Sequence, residues 1–442
     1  MQREKVPSIL SVKSQQSSYL DETQAFFEVD NYTECNLPPM GKRIGSGKTI
    51  FMIFRSFVGI GVLSLPKVAQ TFGITGALVV MPIFAFLILY VIDLMIILGD
   101  DLAFKGENTE DLLTISGNQK YIKAFSLLNN LNMYSSVICG CVMSVTFLNW
   151  AVCNMHLEHF CDNKTNLHLI ATLISVPFGF ITHMSMYAYG SFFSAMMITV
   201  SLVAILTYNI GMIQEMGISQ TANIGIHMDY FAQFFGITCF SIEGISLIFP
   251  IRSSMKRPYD FRRLFHWTAA VVIAIYLVFM SVAALALGSS LKDVILFQYG
   301  SEFKSMYYLG TLYSIGIIIS YPINCHPLSL SIFSSDIGRK IFGHGKENSN
   351  KHMITMRCAI LLSAVLISYS GINLLDFMDL TGSLFNMTLG FIFPIIFYLN
   401  FYWRKIKLPK VLLLLSLAAV CLVLSTWSFI DAIVRIIASK KE

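Results

Sequence analysis

Long stretches of this chain carry no charge at all. Asp, Glu, Lys and Arg are absent from residues 68–92, 124–157, 165–214, 264–291, 305–335, 380–403 and 411–430. A membrane-spanning helix needs about 20 mostly apolar residues, and these stretches reach or exceed that length. The stretch 165–214 is long enough for two spans, with Met184–Gly190 as the expected turn between them. Segments 48–67 and 228–251 are also apolar, though interrupted by Gly, Pro and a few charges, and 353–370 adds one more. The pattern predicts an all-α polytopic membrane protein with about eleven transmembrane helices. Taken in order as spans 1 to 11, they lie near 48–68, 74–99, 121–152, 166–184, 190–214, 228–251, 264–287, 305–333, 353–370, 377–400 and 410–436. The transmembrane domain is thus expected over 48–437, with spans 1–5 in about 48–214, spans 6–10 in about 228–400 and span 11 after them. Residues 1–47 are polar and rich in Ser and Gln, and read as a disordered tail. The first apolar run begins too late for a cleavable signal peptide.

Composition narrows the function classes. Hydrophobic residues make up 55% of the chain and charged residues 13%, against about 25% charged in soluble domains. A soluble enzyme, a disulfide scaffold and a disordered chain are excluded. The net charge of +5 is too mild and too dispersed for a nucleic-acid binder, so the expected surroundings are a lipid bilayer and no nucleic acid. The basic residues do fix an orientation. They cluster in the N-terminal tail (Arg3, Lys5, Lys13, Lys42, Arg43, Lys48) and after spans 2, 6, 8 and 10, as in Arg252–Arg263 and Arg404–Lys410. Positive charge stays on the cytosolic side, which puts the N-terminus in the cytosol and the C-terminus outside or in a lumen. The plasma membrane and a vacuole- or lysosome-like organelle both fit. The sequon at Asn163 falls in a non-cytosolic loop where glycosylation is possible, whereas those at Asn31 and Asn386 do not.

Chemistry is concentrated where the spans are interrupted. Span 1 contains Phe57-Val58-Gly59-Ile60-Gly61-Val62-Leu63-Ser64-Leu65-Pro66, and span 6 contains Phe240-Ser241-Ile242-Glu243-Gly244 running on to Pro250. These are the first helices of two successive five-helix blocks. Paired Gly/Pro breaks at corresponding positions point to an inverted-repeat transporter with a midplane binding site. Gly lets a ligand approach the backbone, and freed N–H groups at the start of a half-helix attract a carboxylate. Freed carbonyls accept an ammonium. The expected substrate-binding residues are therefore Val58, Gly59, Ile60, Gly61 and Val62 with Phe240, Ser241, Ile242, Glu243 and Gly244, and the expected ligand is an amino-acid zwitterion. Close helix packing is the competing explanation for the glycines of span 1.

Glu243 is an acid in the middle of a span, where ionisable groups are costly and face a cavity or a partner. It can bind a substrate amine, carry a proton, or serve as a packing residue. Arg55, one turn before the first break, cannot shuttle a proton itself. It either gates the site or snorkels to the cytosolic surface. Asp93 reads as a boundary residue. Tyr134, Ser135 and Ser136 in span 3, and Tyr313, Ser314 and Ser320 in span 8, are candidates for lining a cavity or for bonds between helices. Pro322 and Pro327 are expected to kink span 8. The Cys153, His156, His159 and Cys161 cluster suggests a local disulfide or free thiols rather than a metal site, and no cofactor is implied. Gly41–Thr49 lacks the first Gly of a P-loop, and no catalytic motif of a membrane enzyme is present.

Several of these segments resemble one family. Lys48–Lys67 resembles the first helix of the amino acid/auxin permease family, nearest to its proton-coupled and vacuolar amino acid transporter branch. Phe240–Gly244, continuing through Pro250-Ile251 to Met255-Lys256-Arg257-Pro258, is similar to the sixth helix and following loop. Asp379–Leu384 with Phe391–Pro394 is similar to the tenth helix, and Tyr189–Ser194 to the entry of the fifth. The resemblance implies a LeuT-like fold of the amino acid–polyamine–organocation superfamily, a 5+5 inverted repeat with broken helices 1 and 6, and secondary active amino acid transport by alternating access. Sodium-coupled members carry Asn where this chain has Arg55, so protons rather than sodium are the implied partner. Ile60 departs from the small polar residue usual between the two glycines.

The expected function is transport of small or neutral amino acids, and the alternative is a non-transporting membrane amino acid sensor. An enzyme is not expected. A Gly61→Leu substitution is expected to abolish uptake while leaving folding intact.

Overall fold

The computed structural model describes residues 43–102, 109–116, 119–154, 184–242, 244–299, 304–334, 349–368, 373–403 and 405–439, with a few isolated positions between 154 and 184. Among these residues the fold is helical, and nine helices are long and apolar enough to cross a membrane. Span 1 adds a further crossing in two pieces, Ser46–Phe57 and Leu65–Phe72. The span expected at 166–184, the sequon at Asn163 and the residue Glu243 lie outside the described residues.

Most spans follow the apolar runs directly: Ile74–Asp101, Gln119–Asn154, Phe261–Leu287, Ser349–Ser368 and Leu408–Ser439. Their outward faces keep large apolar side chains such as Phe86, Trp267, Leu366 and Leu413 exposed, as lipid requires. Span 5 corrects an expectation, because Met184–Met216 is one continuous helix and Met184–Gly190 is its first part, not a turn. That segment has no proline, and a single Gly costs only about 1 kcal/mol in a helix interior. Span 1 begins at Ser46, and just before it Ile44 pairs with the loop after span 6. The Ile44 N–H donates to the Ser254 carbonyl at 2.9 Å, and the Lys256 N–H donates to the Ile44 carbonyl at 2.9 Å.

Besides span 1, three of the described spans depart from regular helix. Span 6 is Phe231–Ile242 followed by Ile245–Ser253. Span 8 runs Lys304–Ser320, tightens to a 3₁₀ turn at Tyr321–Asn324 and resumes at Cys325–Ser334. This is where Pro322 removes an N–H and the helix must adjust. Span 10 widens into two π-helical stretches, Gly382–Asn386 and Thr388–Ile392, between Leu374–Thr381 and Phe393–Tyr402.

Small residues bring spans 6 and 10 together. A Cβ placed on Gly382 would sit 1.9 Å from the Gly236 carbonyl oxygen, and one on Gly236 would meet Asp379 Oδ1 at 1.8 Å. Asp379 is fully buried there. Arg435 of span 11 donates to it and also pairs with Asp431 at 3.1 Å, so spans 10 and 11 are joined by charge within the membrane domain. Asp93 joins spans 2 and 7 by accepting from Arg262 Nε at 2.7 Å, from Nη2 at 2.6 Å, and pairing with His266 at 2.9 Å.

Gly382→Ala is expected to destabilise the protein by ~1–3 kcal/mol, the usual cost of overpacking. Gly47→Ala, with nothing within 4 Å of its added carbon, is expected to be neutral or slightly stabilising. Thermal unfolding midpoints of the two variants in detergent check the contrast.

Candidate functional site

The break in span 1 follows from its sequence. The first helix ends at Phe57, Val58 is extended (φ −76°, ψ 95°), and a single 3₁₀ turn covers Gly61–Leu63. Helix resumes at Leu65 with Pro66 in its first turn, where a missing N–H costs nothing. The break in span 6 lies beside it. A Cβ on Gly61 would fall 2.2 Å from Ser241 Oγ and 3.0 Å from Ser241 Cα, and one on Gly244 would lie 3.3 Å from the Phe57 ring. Absence of side chains at Gly61 is what lets the two interruptions meet.

Between them is a cavity of about 90 Å³. Of the expected binding residues, Gly59, Ile60, Gly61, Phe240, Ser241 and Gly244 line it, together with Arg55 and Ser320. Val58, Val62 and Ile242 are buried but do not face it. Glu243 falls between the two helices of span 6 and is outside the described residues.

Arg55 does not snorkel. It is 8% exposed and turned inward, because the broken backbone and two other spans offer it oxygens. Its Nε donates to Ser194 Oγ of span 5 at 2.9 Å, Nη1 donates to the Val58 carbonyl and Nη2 donates to Ser320 Oγ of span 8. The two serines pass the bonds on, Ser194 to the Gly316 carbonyl at 2.7 Å and Ser320 to the Ile317 carbonyl at 3.0 Å. All three acceptors of the guanidinium are neutral.

Two tyrosines hold the freed carbonyls. The Tyr276 hydroxyl of span 7 lies 2.8 Å from the Phe57 carbonyl and 3.2 Å from the Ser241 carbonyl, touching both breaks with one group. Tyr313 donates to the Gly59 carbonyl at 2.6 Å. Tyr313 therefore acts behind the cavity rather than in its lining. Of the other residues expected to line it, Ser136 and Ser320 do, whereas Tyr134 and Ser135 do not. Tyr134 donates to Ser363 of span 9 at 2.8 Å, and Ser135 to the Asn132 carbonyl in its own helix at 2.8 Å. Helical rotation decides this, since Asn132, Met133 and Ser136 present the cavity-facing side of span 3.

Sequence reasoning missed Asn132, Ser246, Asn324 and Asn386, all of which line the cavity. Their signal was a carboxamide or hydroxyl amid apolar residues, a weak one among many serines. Adjoining the cavity and sharing Met133 and Ser246 with it, a smaller space is also lined by Glu110, Asn129 and Pro250. Ser246 donates to Asn129 Oδ1 at 2.8 Å, and Ser331 to Glu110 Oε1 at 2.6 Å. Burial holds the Glu110 carboxyl above its ordinary pKa, against the pull of the hydroxyl that bonds it. In the cluster after span 3, Cys153 is disulfide-bonded, and the other residues named there lie outside the described ones.

The family described as transmembrane amino acid transporter protein matches residues 42–437. The chain belongs to this family. Vacuolar amino acid transporter 3 of Saccharomyces cerevisiae is 24% identical over 355 residues, covering 78% of this chain and 50% of that protein. The vesicular inhibitory amino acid transporter of Rattus norvegicus is 23% identical over 248 residues, covering 54% of this chain and 46% of its own length. The chain spans about half the length of the curated relatives it matches. Among solved structures, a manganese transporter of Eremococcus coleocola superposes with a TM-score of 0.57 at 13% identity, covering 88% of this chain and 86% of that one. A Na⁺-coupled sialic acid symporter gives 0.55 at 13% identity, with 89% of each chain covered. At such identity the likeness establishes the fold, that of LeuT-like helical transporters, which family membership and the paired breaks share.

Because Gly61 packs on Ser241, Gly61→Leu is expected to disturb folding as well as function, contrary to the sequence expectation. Tyr276→Phe is the cleaner probe. It leaves a buried carbonyl without its donor, at a cost of ~1–3 kcal/mol, and is expected to lower the thermal midpoint in detergent while the protein still elutes as a single species.

Proposed function

We propose that the chain moves small or neutral amino acids across a membrane by alternating access, coupled to protons rather than sodium. The observation that carries this reading is the cavity bounded by both helix breaks. There the substrate carboxylate would meet backbone amides around Gly59–Val62, and the amine the carbonyls near Phe240–Ile242, with Glu243, next in sequence, as the candidate acid for the amine or a proton. Family membership supports it, as do the relatives, which are amino acid transporters of vacuoles and vesicles. A vacuolar or vesicular membrane with the N-terminus in the cytosol fits the distribution of basic residues.

Arg55 supports the choice of ion. The Val58 carbonyl and the Ser194 and Ser320 hydroxyls form an oxygen cluster joining spans 1, 5 and 8, and a tethered guanidinium fills it. A guanidinium stays charged at any physiological pH, so a free sodium ion would meet both an occupied set of ligands and like charge.

In sodium-free proteoliposomes, an imposed pH gradient is expected to drive accumulation of a labelled neutral amino acid mixture. A sodium gradient alone is expected to drive none, and Arg55→Gln to reduce uptake at least about tenfold, as when a charge-assisted hydrogen bond is lost. Accumulation driven by sodium alone would contradict the proposal.

A further inference from the structure

Two buried acceptor atoms in the cavity have nothing to accept. Asn132 of span 3 and Asn386 of span 10 both line it, and they are 1% and 2% exposed. In each the side-chain oxygen lacks a hydrogen-bond partner. The Asn386 amide nitrogen donates to the Cys239 carbonyl at 3.4 Å, which leaves its oxygen as the free end. Buried polar atoms are paired in nearly all native structures, and an unpaired one calls for a ligand, water or ion. Here both orphans belong to one cavity and come from helices other than the two that are broken.

We propose that Asn132 and Asn386 form a side-chain subsite selecting small, uncharged amino acids whose side chain carries a hydrogen-bond donor, a hydroxyl or a carboxamide. This rests on the transport reading above, in which the breaks of spans 1 and 6 take the zwitterion and leave spans 3 and 10 to face the side chain. Size follows from the volume. The cavity is small, about 90 Å³, so short side chains such as those of serine, threonine and asparagine suit it better than aromatic ones. Charge follows from the lining. Arg55 faces the same cavity and disfavours a cationic side chain, while a carboxylate brings only lone pairs to two oxygens that need donors. An aliphatic side chain of equal size leaves both oxygens unpaired. Sites built to bond a substrate hydroxyl or amide reject the analogue lacking it far more strongly than apolar pockets reject an added group.

The test is competition against labelled serine uptake in proteoliposomes, using near-isosteric pairs. Threonine is expected to compete at least about tenfold better than valine, and asparagine at least about tenfold better than aspartate or leucine. Asn132→Leu and Asn386→Leu, each checked for folding by its thermal midpoint, are expected to impair threonine uptake about tenfold more than alanine uptake. Equal competition by threonine and valine in the unaltered protein would overturn the subsite while leaving transport standing. Equal loss of alanine and threonine uptake in the folded variants would also overturn it, by assigning the two oxygens to the substrate amine. Absence of any amino acid flux or binding would overturn the transport reading itself, and the subsite with it.

Discussion

A guanidinium held inside a membrane domain by neutral oxygens is the constraint on which the site depends. Taking such a charge out of water costs several kcal/mol even after the protein relaxes, and Arg55 recovers this through bonds to spans 1, 5 and 8. One of those bonds uses the Val58 carbonyl, which is available because the helix ends at Phe57. The charge thus requires the break, and the break is held open in part by the charge. Ser320 closes the arrangement from span 8 at the last residue before its 3₁₀ turn. Span 1 is therefore tied across the domain at the point where it is least regular.

Around that point, small residues and hydroxyls share the work of keeping an irregular backbone inside a bilayer. Non-helical backbone at membrane depth is tolerated only where it is buried in protein or lines a cavity, and both conditions are met here. Gly61 lets span 1 touch Ser241, and Gly236 and Gly382 let spans 6 and 10 touch each other. Tyr276 and Tyr313 cover the carbonyls that the breaks release. The carbonyls of Phe57 and Gly59 are thus engaged by the protein, so the ammonium of the proposed substrate would have to draw on what remains at span 6. Span 10 lies against span 6 through its π-helical stretches, which are recurrent at functional sites, and it delivers Asn386 to the cavity.

Much of this was legible in the sequence, and the reasons are physical. Charge-free runs of spanning length leave little choice of fold, and Gly59, Gly61 and Gly244 marked both breaks because Gly and Pro are the residues that interrupt a helix at low cost. Local pattern could not say which way a side chain points. Tyr134 and Ser135 differ from Asn132 and Ser136 only by rotation about one helix, and the inward turn of Arg55 depends on serines more than a hundred residues away. The π-helical stretches of span 10 and the continuous helix through Met184–Gly190 are tertiary outcomes that propensity does not encode. Asn386 was visible only as part of a sequon, which says nothing of a role inside the membrane.

The central claim is that the ligand sits between the two breaks, beside a charged Arg55. A high-resolution structure of the protein with a bound neutral amino acid tests it most directly. The account predicts density for the zwitterion bounded by Gly59–Gly61 on one side and Ser241–Gly244 on the other, with Arg55 still bonded to Val58 and Ser320. Density for the amino acid elsewhere, with this cavity empty or collapsed, would contradict it.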